Sequence, residues 1–149
     1  MFSPAIKRVY EPPAADDGMR ILVDRLWPRG IAKAKARIDI WLKDIAPSDA
    51  LRKRFHGKEE DWEEFRKAYD AELKGETAQA AATILLDHLR SGPVTLLYAA
   101  RDERHNNALA LQAWLKRKAK KKLCELRRTR SKWRTDFSRS ALLVWCAWH

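Results

Sequence analysis

The chain has 149 residues, 46% of them hydrophobic, and a formal net charge of +11. This length and composition predict one domain with a sizeable core. No segment approaches the ~20 consecutive apolar residues of a membrane span, which excludes such a span. The charge is uneven, because residues 116–149 hold twelve of the 31 Lys and Arg residues against two acids, whereas residues 1–115 are almost neutral. The composition therefore excludes a strong net positive charge on the domain itself and places most of that charge in the C-terminal segment.

Two strands are predicted near the N-terminus. The first residues contain no apolar run long enough for a signal peptide, so we expect a cytoplasmic protein. Residues 6–10 alternate apolar and polar side chains like a half-buried strand, and the turn-forming segment EPPAADDG follows them. The segment MRILVDRL, residues 19–26, is apolar enough at its centre to be a central strand of a sheet.

Helices predominate in the middle of the sequence. A short helix is expected at residues 32–37, whereas the segment IDIWL after it fits either a strand or a helix. Ser48 or Asp49 can cap the next helix. Apolar residues then recur at helical spacing over residues 62–73 and again over residues 80–89, where the segment SGP ends the last of these helices.

The last predicted elements fix the fold class. The segment VTLLYAA, residues 94–100, has the strongest strand pattern in the chain, and a final helix follows over residues 106–118. Strands that are separated by helices need crossover connections, so we predict an α/β fold with a parallel or mixed sheet flanked by helices. We expect a single compact domain over residues 1–118 and a basic C-terminal extension over residues 119–149.

Two of the predicted strands run directly into polar clusters. The first cluster contains Asp24, Arg25, Trp27, Pro28, Arg29 and Gly30, and the second contains Tyr98, Arg101, Asp102, His105 and Asn106. Ligands of α/β sheets bind beyond the carboxyl ends of the strands, where these clusters would lie side by side. Guanidinium groups bind phosphate or carboxylate in a bidentate way, and the free N–H groups of the last helix favour an anion. The predicted ligand-binding residues are Asp24, Arg25, Trp27, Arg29, Tyr98, Arg101 and Asn106.

The same residues also have structural and catalytic interpretations. Asp24 and Arg25 fit an ion pair at a strand end, and Asp102 fits the N-cap of the last helix. Asp102 and His105, three residues apart, also fit an acid–base pair and are the candidate catalytic residues. The sequence does not decide whether the protein is an enzyme. Its two cysteines and scattered histidines lack metal-ligand spacing, so we predict no metal ion and no cofactor.

The blocks DRLWPRG, LKDIAPS and LLYAARDERHN, in this order, are similar to motifs of a known family. Over residues 5–118 the chain resembles the YeaO-like branch of the domain of unknown function 488 family. The resemblance implies no settled activity. It marks the first cluster, the second cluster without Arg101, and Trp41, Lys43 and Pro47 as motif residues. Other branches look like they carry a cysteine and a Cys-His-Arg group where this chain has Tyr98 and residues 105–107, so their thiol chemistry is not implied here.

The C-terminal extension has basic residues followed by the apolar segment ALLVWCAW. It fits a disordered or accidental terminus, a nucleic-acid-binding arm with Trp133 as a stacking surface, or an attachment to acidic membrane surfaces. We predict that the domain binds or acts on a phosphate- or carboxylate-bearing small molecule, or a nucleotide, at the strand ends. The alternative is a nucleic-acid-associated or regulatory protein that uses the basic extension. The oligomeric state is not predicted.

Overall fold

The computed structural model describes residues 3–55 and 61–121. Its strands β1 (Ala5–Arg8), β2 (Met19–Leu22), β3 (Ile40–Trp41) and β4 (Val94–Tyr98) form one sheet in the order β1-β4-β2-β3. Every neighbouring pair is parallel, which confirms the predicted α/β class. The register sets Leu22 opposite Leu97, so β2 and β4 end side by side at one edge of the sheet. We call this edge, where the strands end, the carboxyl edge.

The helices occupy the connections between the strands. They are α1 (Lys33–Ala36), α2 (Asp49–Arg54), α3 (Trp62–Glu72), α4 (Glu76–Ser91) and α5 (107–121), with a 3-10 turn at Lys43–Ile45. In the segment IDIWL, which fits either a strand or a helix, Ile40 and Trp41 form β3. Of the two predicted caps, Ser48 is the one used, because its Oγ accepts the Leu51 N–H at 3.1 Å.

The two central strands are buried on both faces of the sheet. Ile21, Leu22, Leu96 and Leu97 have no exposed surface, and neighbouring side chains in a strand point to opposite faces. On one face, Leu22 and Leu97 pack with Val9, and the half-buried residues Trp27, Ile31, Ile38 and Ala99 pack against them. The residues that follow β2 are therefore anchored to the core before they reach solvent.

A buried ionic group, which the apolar pattern of β2 did not reveal, lies at the start of that strand. The Arg20 guanidinium pairs with the Asp17 carboxylate and donates from Nε to the Arg37 carbonyl at 3.0 Å. Lys7 lies 3.1 Å from the same carboxylate. Burial acts to raise the pKa of Asp17, but hydrogen bonds from the Ala14 N–H, Lys7 and Arg20 hold that pKa below its ordinary value.

The chain divides into two units, residues 1–114 and 115–149. The first unit contains the sheet, α1 to α4 and the first residues of α5. In the second unit the structure describes residues 115–121, which are helical, and the rest of the predicted extension lies outside the described residues. None of the helices in the described ranges is long and apolar enough to cross a membrane.

Candidate functional site at the carboxyl edge

A half-buried carboxylate connects the two polar clusters at the carboxyl edge. Asp24 Oδ2 accepts the Ala99 N–H at 2.8 Å, and Asp24 Oδ1 accepts a hydrogen bond from Asn107 Nδ2 at 3.0 Å. Asn107 Nδ2 also donates to the Val23 carbonyl at 2.9 Å. The segment after β2, the segment after β4 and the start of α5 are thus joined by one group of contacts, which we call the Asp24 bridge (Asp24, Ala99 and Asn107).

The Asp24 bridge is a structural connection whose polar atoms are already occupied. Burial raises the pKa of Asp24, and the hydrogen bonds from Ala99 and Asn107 offset only part of that rise. The nearby Tyr69 is also deeply buried, and burial together with the Asp24 charge raises its pKa. The Tyr69 hydroxyl donates to the Ile45 carbonyl at 2.6 Å. These groups are satisfied within the fold and require no ligand.

The interpretation of Asp24 and Arg25 as an ion pair is wrong. Both Asp24 oxygens are taken by Ala99 and Asn107, and the Arg25 side chain is 46% exposed. Its Nε lies 4.0 Å from Asp49 Oδ2, at the limit of an ion pair. An exposed contact of this length contributes little to stability, so the Arg25 guanidinium is available to a ligand.

Arg29 lies in a short loop whose backbone is held from two sides. Trp27 Nε1 donates to the Ile31 carbonyl at 2.8 Å, which closes the loop, and the Tyr10 hydroxyl donates to the Arg29 carbonyl at 3.1 Å. Gly30 has a φ of 76°, which a side chain would disfavour. The Arg29 side chain is exposed, and within the described residues its guanidinium group forms no hydrogen bond or ion pair.

Asp102 and His105 are in contact, in the turn that precedes α5. Asp102 Oδ1 accepts the N–H groups of Arg104 and His105 at 2.8 and 3.0 Å, and its Oδ2 lies 3.1 Å from His105 Nδ1. Burial acts to raise the pKa of Asp102, but these hydrogen bonds hold it below its ordinary value. The Trp62 ring packs edge-on against the His105 imidazole, with centroids 5.3 Å apart. The pair is therefore ordered and partly covered.

The N-cap of α5 is Asn106, so the prediction that Asp102 serves as this cap is wrong. Asn106 Oδ1 accepts the Leu109 N–H at 3.0 Å, and its Nδ2 donates to the carbonyls of Asp102 and Glu103. Aspartate and asparagine are both favoured N-cap residues, so the sequence does not decide between Asp102 and Asn106. The residue at which the helix begins decides it. Because the buried Asn106 side chain is committed to the helix start, it has little capacity left for a ligand.

The remaining predicted ligand residues differ in exposure. The Tyr98 ring is buried at the end of β4, and burial raises the pKa of its hydroxyl. Arg101 is exposed, and its guanidinium has no hydrogen bond or ion pair in the described part of the chain. Among the predicted ligand residues, the exposed cations are therefore Arg25, Arg29 and Arg101. Within residues 3–55 and 61–121, no group of three His, Cys, Asp or Glu residues is placed to hold a metal ion.

Two residues that the sequence left unassigned or weakly assigned shape this edge. Asn107 completes the Asp24 bridge, and the only sequence signal for it was an amide directly after the second cluster. Trp41 Nε1 donates to the Asp24 carbonyl at 2.7 Å, and the Trp41 ring meets the Trp27 ring at a centroid distance of 5.5 Å. The motif residue Trp41 therefore lies beside the first cluster.

A small cavity of about 150 Å³ opens beside Arg25, towards α3 and α4. Its lining includes the carboxyl groups of Asp44 and Glu72, and Glu72 accepts hydrogen bonds from the Ser48 N–H and hydroxyl. Two carboxylates against one guanidinium make this cavity a poor site for an anion. The loop that contains Arg29 is the more suitable part of the carboxyl edge.

These features define an α/β protein whose sheet edge is closed by a carboxylate and bordered by exposed arginines. Residues 4–134 match the model of the inactive N3 subclade of the domain of unknown function 488 family, and the chain belongs to that family. The expected membership is confirmed. The match continues past residue 118, where the motif similarity was expected to end.

The relatives of the chain are uncharacterised proteins. It is 48% identical over 110 residues to the protein YeaO of Escherichia coli strain K12. The aligned region covers 74% of this chain and 94% of YeaO. It is 44% identical over 90 residues to proteins of Mycobacterium bovis and Mycobacterium tuberculosis, which covers 60% of this chain and 76% of each relative. No solved structure matches the chain.

Proposed function

We propose that the carboxyl edge binds a small molecule that bears a phosphate or carboxylate group. The observation that supports this proposal most directly is that Arg29 has a held backbone and an exposed guanidinium. Its backbone is held by the Tyr10 hydroxyl and by the loop that Trp27 and Ile31 close, whereas its guanidinium is exposed and uncommitted within the described residues. A cation on a constrained loop loses little freedom when it binds an anion, which favours recognition.

The contrast between Arg29 and its neighbours supports a binding role. Asp24, Asn106 and Asn107 use their polar atoms inside the fold, so their presence is explained by stability. Arg29 has no such internal use, and Arg101 adds a second exposed guanidinium after β4. Two guanidinium groups from neighbouring strand ends fit a phosphate or a carboxylate, which each can bind in a bidentate way.

Binding is a better account of this edge than catalysis. The subclade that the chain matches is described as inactive. Both carboxylate oxygens of Asp24 already accept hydrogen bonds within the fold. The Asp102 and His105 pair remains the candidate for acid–base work, since the two side chains are in contact. We assign the pair no reaction.

The proposal is tested by thermal melts of the full chain with inorganic phosphate and with a panel of nucleotides and phosphorylated sugars. We expect at least one of these anions to raise the melting temperature of the native protein. Arg29→Ala should melt at nearly the native temperature without ligand and should lose most of the ligand-dependent rise. A charge-assisted hydrogen bond contributes about 1.5–3 kcal/mol, which corresponds to a roughly 10- to 150-fold weaker Kd.

Arg90→Ala is the matched control for this experiment. Arg90 is also an exposed arginine, but it lies near the end of α4, directly before β4 begins, and pairs with Asp87. Its removal lowers the net charge by the same amount at the opposite end of the strand. If Arg90→Ala and Arg29→Ala weaken the response equally, or if no anion stabilises the native protein, the proposed site is wrong.

A nucleic-acid-associated role is the second candidate, and the observation that favours it is the charge of the C-terminal segment. Residues 116–149 hold twelve Lys and Arg residues and two acids. Such a segment would bind phosphate backbones with strong salt dependence and without base recognition. This role uses a part of the chain that the Arg29 site does not, so a truncation separates the two.

A further inference from the structure

Exposed apolar side chains are concentrated at the same edge as the exposed arginines. In the described part of the chain, the large hydrophobic residues with the most exposure are Tyr10, Leu26, Trp41 and Ile84, at 47%, 54%, 37% and 46%. The first follows β1, the second follows β2, and Trp41 is the last residue of β3. Three of the four therefore lie at or after the end of a strand.

Trp41 is held in position by a hydrogen bond and by a ring contact. Its Nε1 donates to the Asp24 carbonyl at 2.7 Å, and its ring meets the Trp27 ring at 74° with centroids 5.5 Å apart. Trp27 is itself fixed by the 2.8 Å hydrogen bond to Ile31. Because both indole N–H groups are bonded to the main chain, the two rings offer a ligand only their aromatic surfaces.

The surroundings distinguish the two tryptophan rings. Lys33 Nζ lies 5.7 Å from the centroid of the Trp27 ring, in the range of a cation–π contact, and Trp27 also packs on the core. Trp41 is the more accessible ring of the pair. It is therefore the surface on which a flat ligand group can stack.

The fixed ring and the exposed guanidinium groups belong to one local structure. Arg25 directly follows Asp24, whose carbonyl binds Trp41, and Arg29 lies in the loop that begins at Trp27. A ligand that uses both features needs a flat aromatic group joined to an anionic group. A nucleotide has this combination, with its base and its phosphate joined by a sugar.

We infer that the ligand of the carboxyl edge is a free nucleotide whose base stacks on Trp41 and whose phosphate is bound by Arg29. This inference rests on the anion-binding function proposed above and adds the base as the group that sets selectivity. Base stacking on an aromatic side chain corresponds to a roughly 5- to 150-fold change in Kd. The base should therefore add measurable affinity beyond that of the phosphate.

The inference is tested by calorimetric titration of the full chain with adenosine 5′-monophosphate and with ribose 5-phosphate. These probes share a phosphorylated ribose and differ in the base. The native protein should bind the nucleotide roughly 5- to 150-fold more tightly than the sugar phosphate. Trp41→Leu should remove most of this difference and leave the affinity for ribose 5-phosphate within about 2-fold, because the guanidinium groups are unchanged.

Trp41→Phe guards against a general effect on folding. It keeps an aromatic surface but loses the hydrogen bond to Asp24, as Trp41→Leu does. We expect Trp41→Phe to retain part of the preference for the nucleotide. Equal losses of preference in the two variants, with equal falls in melting temperature, would mean that Trp41 acts through the fold and would overturn the inference.

Further outcomes separate this inference from the function on which it rests. If the native protein binds both probes equally and Trp41→Leu changes neither affinity, the edge binds anions but the base is not recognised, and the inference fails alone. If neither probe nor inorganic phosphate binds, the proposed function fails with it. A single-stranded oligoadenylate that binds more tightly than the mononucleotide, in a manner that needs Trp41, would contradict the assignment to a free nucleotide.

Discussion

At the scale of single residues, the carboxylates of Asp17 and Asp24 make opposite contributions to the pH dependence of stability. The pKa of Asp17 is lowered from its ordinary 3.8, so its contribution is present above that value and is lost as the pH falls towards the folded-state pKa. The pKa of Asp24 is raised above 3.8, so its ionised form costs stability, and that cost disappears on acidification. The two aspartates therefore allow opposite pH dependences of stability to be compared within one protein.

We predict that Asp17→Asn loses less stability than the native protein when the pH is lowered from about 6 to about 3, whereas Asp24→Asn loses more. The measurement is the free energy of unfolding by urea at each pH, with the native chain as the reference. The change with pH is compared, because each variant also has a constant cost from altered hydrogen bonds. Changes of the same sign in both variants would contradict the assigned environments.

At the scale of elements, the Asp24 bridge holds the first turn of α5 against the ends of β2 and β4. Asn107→Ala removes hydrogen bonds to the Val23 carbonyl and to Asp24, and it leaves the half-buried Asp24 carboxylate with one partner fewer. We expect a loss of about 2–4 kcal/mol in the free energy of unfolding. Thr83→Ala, an exposed change on α4, should cost less than about 1 kcal/mol, and a similar loss in both variants would argue against the bridge.

The distance along the sequence between interacting residues explains which elements the sequence predicts. β2 and β4 are short apolar runs with polar ends, so their burial and their common edge follow from local pattern and the geometry of parallel sheets. Arg20 lies inside an apolar strand, and its burial depends on Asp17 and on a main-chain oxygen supplied by Arg37. Such a polar group cannot be recognised before the surrounding turns are placed.

In the candidate site, too, the sequence predicts the local features but not the contacts between distant residues. Both polar clusters and their position at the carboxyl edge are predicted, because the residues follow the strands directly. The partners of Asp24 are not, since Ala99 and Asn107 are 75 and 83 residues away in the sequence and approach only when β4 lies beside β2. The alternative interpretation of Arg25, an ion pair with the neighbouring Asp24, is wrong for the same reason, and the ion-pair contact described for Arg25 is to Asp49.

At the scale of the whole molecule, the main question is where the domain ends. The motifs suggest a domain over residues 1–118, whereas the family match extends to residue 134. We predict that a chain truncated after residue 134 melts within a few degrees of the full chain and responds equally to anions, because the described sheet edge remains complete. A large fall in melting temperature would show that the apolar segment ALLVWCAW contributes to the fold.

The same truncations separate the two candidate functions. Removal of residues 119–149 takes away nine Lys and Arg residues and two acids, which lowers the net charge from +11 to +4. If the chain binds single-stranded DNA through this segment, the binding should weaken with added salt and disappear in the chain that ends at residue 118. The response to mononucleotides should persist in that shorter chain, and its loss there would contradict the separation of the two functions.

The central claim is that an anion binds at the carboxyl edge of the sheet, and its location is most directly tested by nuclear magnetic resonance. The ¹⁵N-labelled full chain would be titrated with adenosine 5′-monophosphate while the backbone amide shifts are followed. We predict that the shifts concentrate in residues 24–31 and 99–107, with little change in residues 17–20 at the start of β2. Shifts confined to residues 17–20 or to residues 116–149 would contradict the account.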